Sequence, residues 1–283
     1  MNETGMIVYF DATASGPQIL GLSTNCRSSM EMTNVIPSFD KDGMMRRRDL
    51  YLDITDEMYK IIDFSETVLD PDERKRRGQV KYPIMTTFYG SKKQPEDLFG
   101  KHTPDHMAFL EVMAQNLPGP MMLMEQMQSC WDSTALFHHW RMPNGAEVNV
   151  AVIDDFSGTV KMEANGKEVK LPFKTKLNKA YRNGLSLAAN ITHSVDNYIK
   201  DLVVLEFKRV GAPITCIHDC FGVHPNDVDF LMESYRNALV HVYRIDLIHN
   251  IMVQITGNHD LERIDIDPGD HADLIMKSRY ALS

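Results

Sequence analysis

An α+β fold is predicted by three observations. Strand-like apolar runs stand near both ends of the chain, the long middle carries mainly helical spacing, and no regular strand–helix alternation joins them. In order, "IVYFD" at residues 7–11 reads as a strand, "SGPQ" as a loop, and the apolar run after it as a helix. Residues 38–49 are polar and basic, and "DLYLDITDEMYKIIDF" at 49–64 has helical spacing. "LDPDERKRRGQVK" marks a helix start, with Asp70 as N-cap, Pro71 at the first helical position and Asp72 and Glu73 in the first turn. Pro83 would then be interior and should kink or break that helix. Residues 105–141 read as largely helical and methionine-rich, with methionine as core filler. A β-hairpin follows around Pro143-Asn144-Gly145 and a turn at Asn165-Gly166. Leu185–Arg209 returns to helix. "APITCIHDCFGVHPNDV" is a strand, a polar tip at His218-Asp219 and a second strand, followed by a long helix and an irregular acidic tail.

With 283 residues, 43% of them hydrophobic and 24% charged, the chain can bury a substantial core. It has no apolar run of the roughly 18 residues a membrane span needs, and no basic-then-apolar leader, so a cytoplasmic setting without membrane contact is expected. The four cysteines imply no disulfide framework; Cys216 and Cys220 flank His218 but read as buried thiols rather than a zinc site. A net charge of −9 argues against broad attraction to nucleic acid and leaves room for local basic sites, at Arg46–Arg48 and Arg74–Lys81.

Two strand-borne carboxylates carry the first chemical signal. Asp11 ends the opening strand and Asp219 sits at the hairpin tip. If those strands are neighbours, both carboxylates emerge at one sheet edge. There they could hold two Mg²⁺ ions about 3.5–4 Å apart, the arrangement used for in-line phosphoryl transfer. Either aspartate alone would more often be a turn residue. In "RGQVKYPIMTTFYGSK", Arg77 and Lys81 are one helical turn apart, and a continued helix would bring Tyr89 about 80° further round. Two cations and a phenol on one face suit a triphosphate and its sugar.

"DATASGPQ", "R-x3-K-x7-YGSK" and "IHDCFG", in that order, resemble motifs A, B and C of the single-subunit DNA-directed RNA polymerases of bacteriophages and mitochondria. "HHWRMPNGAEV", "GLSLAANITHSVD" and the terminal "DLIMKSRYALS" resemble further segments of that family, so the similarity runs along the whole chain. It implies a right-hand polymerase palm with an antiparallel sheet and mainly helical fingers: residues 1–40 and 191–283 as palm, 41–190 as fingers. It also implies Asp11 and Asp219 as catalytic metal ligands, with the Ala12 carbonyl as a further one, and two Mg²⁺ ions as cofactor. Arg77 and Lys81 would contact the triphosphate, Tyr89 would sense the ribose 2′-hydroxyl, and His193 and His218 would lie beside the nascent end and the catalytic aspartate. Lys81 and Tyr89 join the aspartates as catalytic candidates.

The related family A DNA polymerases share the three motifs but carry a bulky glutamate five positions after the first aspartate. Gly16 stands there in this chain and leaves room for a 2′-hydroxyl, which favours ribonucleotides. The family's thumb and N-terminal region have no counterpart before Asp11. The resemblance therefore implies a second polymerase subunit supplying them, with DNA template, nascent RNA and ribonucleoside triphosphates as the other partners. A non-catalytic assembly module derived from a polymerase and a truncated DNA polymerase are the alternatives.

Overall fold

The computed structural model describes residues 5–62, 66–164, 166–178 and 185–283. The chain opens with β1 (Val8–Asp11), α1 (Ser15–Ser23) and α2 (Arg27–Met32), then a small hairpin, β2 (Ser38–Phe39) and β3 (Met45–Arg46). Five helices follow: α3 (Leu50–Met58), α4 (Glu73–Thr87), α5 (Lys93–Phe99), α6 (Pro104–Asn116) and α7 (Pro118–Ser129). Two antiparallel ribbons come next, β4 (Phe137–Arg141) with β5 (Glu147–Ala151) and β6 (Ile153–Ala164) with β7 (Lys167–Asn178). The last third is α8 (Leu185–Val210), β8 (Ile214–Ile217), β9 (Cys220–Val223), α9 (Val228–Arg244), α10 (Leu247–Thr256) and α11 (Ala272–Lys277). This is an α+β architecture, and no helix among the described residues is long and apolar enough to cross a membrane.

The central sheet has the order β1-β9-β8 and is antiparallel throughout, joining residues from the two ends of the sequence. Phe10 lies opposite Phe221 and Tyr9 opposite Gly222. A Cβ at Gly222 would come within 2.6 Å of both the Tyr9 ring and the Thr215 methyl, so only glycine lets those side chains cross this strand. Beneath the sheet, α8 buries Ala188, Ile191, Val195, Ile199, Val203 and Phe207, a spacing of three and four residues that makes one helix face continuous core. It packs on α9, which contributes Leu231, Tyr235, Ala238, Leu239 and Val242.

Gln18 shows how polar groups are accommodated in this core. It is fully buried, its amide donates to the Thr33 and Ala281 carbonyls (2.8 and 3.0 Å), and its oxygen accepts from the Tyr235 hydroxyl (3.2 Å). One side chain thus ties α1 to α9 and to the last residues, with its hydrogen-bonding capacity largely met.

Several sequence expectations need correction. "SGPQ" is the first turn of α1 rather than a loop, because Gln18 is drawn inward by those three partners. The helix predicted over 49–64 ends at Met58; Asp63 and Phe64 lie outside the described residues. The N-cap of α4 is Asp72, which accepts from the Lys75 amide (3.0 Å), and not Asp70. Asp70 instead accepts from the Asp72 amide while its own amide is held by the Gln79 side chain (2.8 Å), a turn that delays the helix by two residues. Pro83 does not end α4. It is buried beside Val80, Ile84 and Thr87, and this packing holds the helix together across the missing hydrogen bond. Residues 105–141 are helical only to Ser129, and Phe137–Arg141 is a strand whose alternation buries His138 and Trp140. Asn165 of the second predicted turn lies outside the described residues; Gly166 has a φ of 72° and the flanking ladder closes at Ala164 and Lys167.

Candidate active site

The β8–β9 connection is only His218 and Asp219, and His218 takes a left-handed φ of 56°, a conformation of two-residue hairpins usually given to glycine or asparagine. Asp219 is thereby fixed at the sheet edge, where its carbonyl accepts from the Ala12 amide (3.1 Å). Asp11 pairs with Cys220 one residue further on. On its other side, β1 meets the last residues: Asp11 and Ser283 exchange both main-chain hydrogen bonds (3.3 and 2.9 Å).

Asp11, Ala12, Gly16, Arg77, Lys81, Tyr89 and Asp219 line one cavity of about 310 Å³, together with Arg47, Tyr51 and Ser283. The sheet edge and the start of α1 form one wall, and α4 forms the wall facing it. The basic run 74–81 is divided by this packing. Arg76 is buried and structural, with bonds to Thr55, Asp56 and the Pro71 carbonyl, whereas Arg77 and Lys81 line the cavity. Tyr89 is not on the helix as an extrapolated turn would have it. Gly90, at a φ of 81°, ends α4 with Gly90 N–H on the Thr87 carbonyl and Ser91 N–H on the Thr86 carbonyl, a Schellman ending that turns Tyr89 toward the cavity.

Asp49 and Tyr51 are site residues that sequence reasoning missed. One Asp49 oxygen caps α3 by accepting from the Tyr51 and Leu52 amides, and the other accepts from Arg77 Nε at 2.6 Å. The guanidinium lies 5.0 Å from the Tyr51 ring centre, so Arg77 is held between a carboxylate and an aromatic face. Burial pushes the Tyr51 phenol up to about 12, which keeps it neutral. The cap was legible as an aspartate before an apolar periodic run; the partner 28 residues away was not.

Tyr89 also packs on His193, ring centres 5.1 Å apart. Burial, then the charges of Asp196 and Asp219, raise its pKa. His193 does not line the cavity itself; desolvation and then repulsion from His218 lower its pKa. A Cβ at Gly16 would sit 3.2 Å from the Tyr89 hydroxyl, so a side chain there would crowd the phenol. Cys220 donates to the Asp11 carboxylate, and this bond, with burial, holds the thiol up at about 11, the reverse of what a thiolate ligand requires.

Asp196, one turn along α8 from His193, is a further missed residue. Burial first, and then repulsion from Asp219, push its carboxyl up to about 6 against a hydrogen bond from Ser15. Because the folded pKa lies above the ordinary 3.8, ionising Asp196 costs folding free energy, and stability contributed at pH 4 is lost as pH rises to about 6. At about 1.4 kcal/mol per pKa unit the loss is at most about 3 kcal/mol. Asp196→Asn is therefore expected to stabilise the metal-free chain at pH 7.5 and to leave it nearly unchanged at pH 4. Urea denaturation in a chelator at the two pH values checks this, and an equal effect at both would refute it.

Among the described residues no group of three or more His, Cys, Asp or Glu side chains could hold a metal ion unaided. The donors present are two carboxylates and the Ala12 main chain, all hard oxygens. Mg²⁺ commonly takes one or two carboxylates and completes its shell with substrate phosphates and water, so these residues fit it.

Comparison with known proteins bears on the same segments. A DNA-directed RNA polymerase of Pseudomonas phage phiKMV is 21% identical over 305 aligned positions, covering 93% of this chain and 37% of the phage protein. The chain thus spans little more than a third of that relative. The profile of the DNA-dependent RNA polymerase family matches residues 96–277, a stretch that includes His193, Asp196, His218 and Asp219 and stops short of Asp11, Arg77, Lys81 and Tyr89. With that match extending over more than half of its length, the chain belongs to the DNA-dependent RNA polymerase family.

Proposed function

We propose that this chain carries the catalytic centre of a DNA-directed RNA polymerase, adding ribonucleotides to an RNA 3′ end on a DNA template and releasing pyrophosphate. One observation carries the reading: Asp11 at the end of β1 and Asp219 in the turn that leads into the neighbouring β9 line one cavity with Arg77, Lys81 and Tyr89. In this reading residues 1–40 and 191–283 are palm and 41–190 fingers, which agrees with a sheet drawn from both outer segments.

Asp11, Asp219 and the Ala12 carbonyl would hold two Mg²⁺ ions. When bound, these supply charge neutralisation at the attacking and leaving oxygens. The rest falls to the chain's own side chains. Lys81 offers a mobile point charge to the triphosphate, and Arg77 a planar fork already oriented by Asp49 and Tyr51. Orientation of that kind lowers the entropy lost when substrate is seated. Tyr89, kept neutral by its surroundings, can donate to or accept from a 2′-hydroxyl, and the bare Gly16 leaves that edge open. His193 packs on the Tyr89 ring.

The functional test is RNA primer extension on a DNA template by the chain as it occurs in its native complex, with and without Mg²⁺. Metal-dependent ribonucleotide addition is expected; its absence would leave a non-catalytic module. Incorporation of deoxyribonucleotides alone would point to a DNA polymerase. Tyr89→Phe should mainly relax the choice of ribose over deoxyribose, by roughly 3–10-fold, the worth of one hydrogen bond. Unchanged selectivity would remove Tyr89 from that role. The reading includes a second polypeptide that supplies the thumb and N-terminal region, and a cytoplasmic setting; the net charge of −9 makes it hard for this chain alone to grip a hybrid.

A further inference from the structure

A groove of about 830 Å³ opens between α2, the β2–β3 hairpin, α9 and the residues around α11. Its charge is opposite to that of the molecule. Among the described residues Glu31 is the single carboxylate on its lining, and it is already paired with Arg27 at 3.0 Å. Arg48 is paired with Asp53 at 2.6 Å, from outside the groove. That leaves Arg236, Lys277 and Arg279, none of which forms an ion pair among the described residues. Arg236 gives one nitrogen to the Ser278 carbonyl (3.0 Å), which fixes its guanidinium, while Lys277 and Arg279 are exposed. Three uncompensated cations in one groove of a chain with net charge −9 call for an anion.

We infer that this groove is a track for single-stranded nucleic acid. Arg236 stands on α9, Lys277 is the last residue of α11 and Arg279 follows it, so the cations come from two segments that meet at the Arg236–Ser278 hydrogen bond, beside a groove long enough for several nucleotides. Phe39, at the end of β2, keeps 60% of its surface exposed on the same lining, a flat apolar face on which an unpaired base can stack. The groove also borders the catalytic cavity, because Arg47 lines the cavity and Arg48 the groove. The preference for nucleic acid over another polyanion rests on the polymerase reading; the basic groove does not.

The test is the affinity of the full chain, in its native complex, for a fluorescently labelled single-stranded DNA 20-mer, by anisotropy over a salt series. The double variant Lys277→Glu/Arg279→Glu should bind at least about tenfold more weakly. Its log–log salt slope should be shallower by about 1.4, at about 0.7 for each single-strand phosphate that is no longer neutralised. Phe39→Ala, with all charges intact, should weaken binding at least about fivefold and leave the slope alone. The neutral pair Lys277→Gln/Arg279→Gln should show the same change in slope, which separates the missing cations from misfolding. Unchanged affinity and slope in both charge variants would overturn the inference. So would loss of a co-purifying protein with DNA affinity intact, which would make the groove a dock for an acidic partner. Binding is read without catalysis, so an Asp219→Ala protein that remained active would refute the catalytic reading and leave this one standing.

Discussion

Replacing Asp219 with Ala is expected to reduce ribonucleotide addition by at least about 10³-fold while leaving the chain folded. The size follows from the kind of group removed: one that stabilises charge developing at the reacting centre, where even a neutral donor is worth about 10²–10³. The chain should stay folded because Asp219 serves the sheet through its main chain. Its carbonyl takes the Ala12 amide, and its φ lies outside the left-handed region that His218 occupies, so alanine can replace it without strain. Removing the carboxylate also removes one of the charges that push Asp196 upward, so the metal-free variant should unfold no earlier than the parent at neutral pH. Primer extension with a circular dichroism melt measures both halves. Activity within tenfold of the parent would end the assignment of Asp219 as a metal ligand.

Trp140→Ala should have the largest effect on stability, a loss of about 3–5 kcal/mol. Trp140 is fully buried on β4, opposite Val148 and against α10, in the ribbon that follows the helical region. Its indole nitrogen has no hydrogen-bond partner among the described residues, so the side chain contributes volume and apolar surface alone. Trp140→Phe should accordingly cost clearly less than Trp140→Ala, since it keeps most of the volume and removes an unsatisfied donor. Urea unfolding of the three proteins settles the order. A smaller loss for Ala than for Phe would mean that the site collapses freely and is not close-packed.

What could be read from the sequence was local. The His218-Asp219 tip, its two strands and the helix from Leu185 are each specified within a few residues, by alternation, a two-residue turn or a repeat of three and four. The cations at 77 and 81 share a face for the same reason. The missed features depend on distant partners. Nothing near Asp49 announces Arg77, nothing near Asp196 announces Ser15, and Gln18 is drawn into the first turn of α1 by residues at 33, 235 and 281. Pro83 shows the opposite error: local rules forbid it in a helix, and burial on both sides of it outweighs them. The cap of α4 turned on competition between two similar aspartates, resolved by the side chain of Gln79.

The sheet that joins β1 to β9 also sets a timetable. Asp11 leaves the ribosome long before Asp219 is made, and at about 5–20 residues per second the wait between them is roughly 10–40 s. Until residue 223 is made the first strand has no neighbour, and it presents Val8, Phe10 and open main-chain groups, which the finished fold covers, to whatever is nearby. The helices of the middle segment can fold during that interval because their contacts are short in sequence, whereas the centre cannot. A nascent chain interrupted before residue 219 would therefore contain a folded helical body and no paired carboxylates, so the cavity forms only as one of the last events of folding.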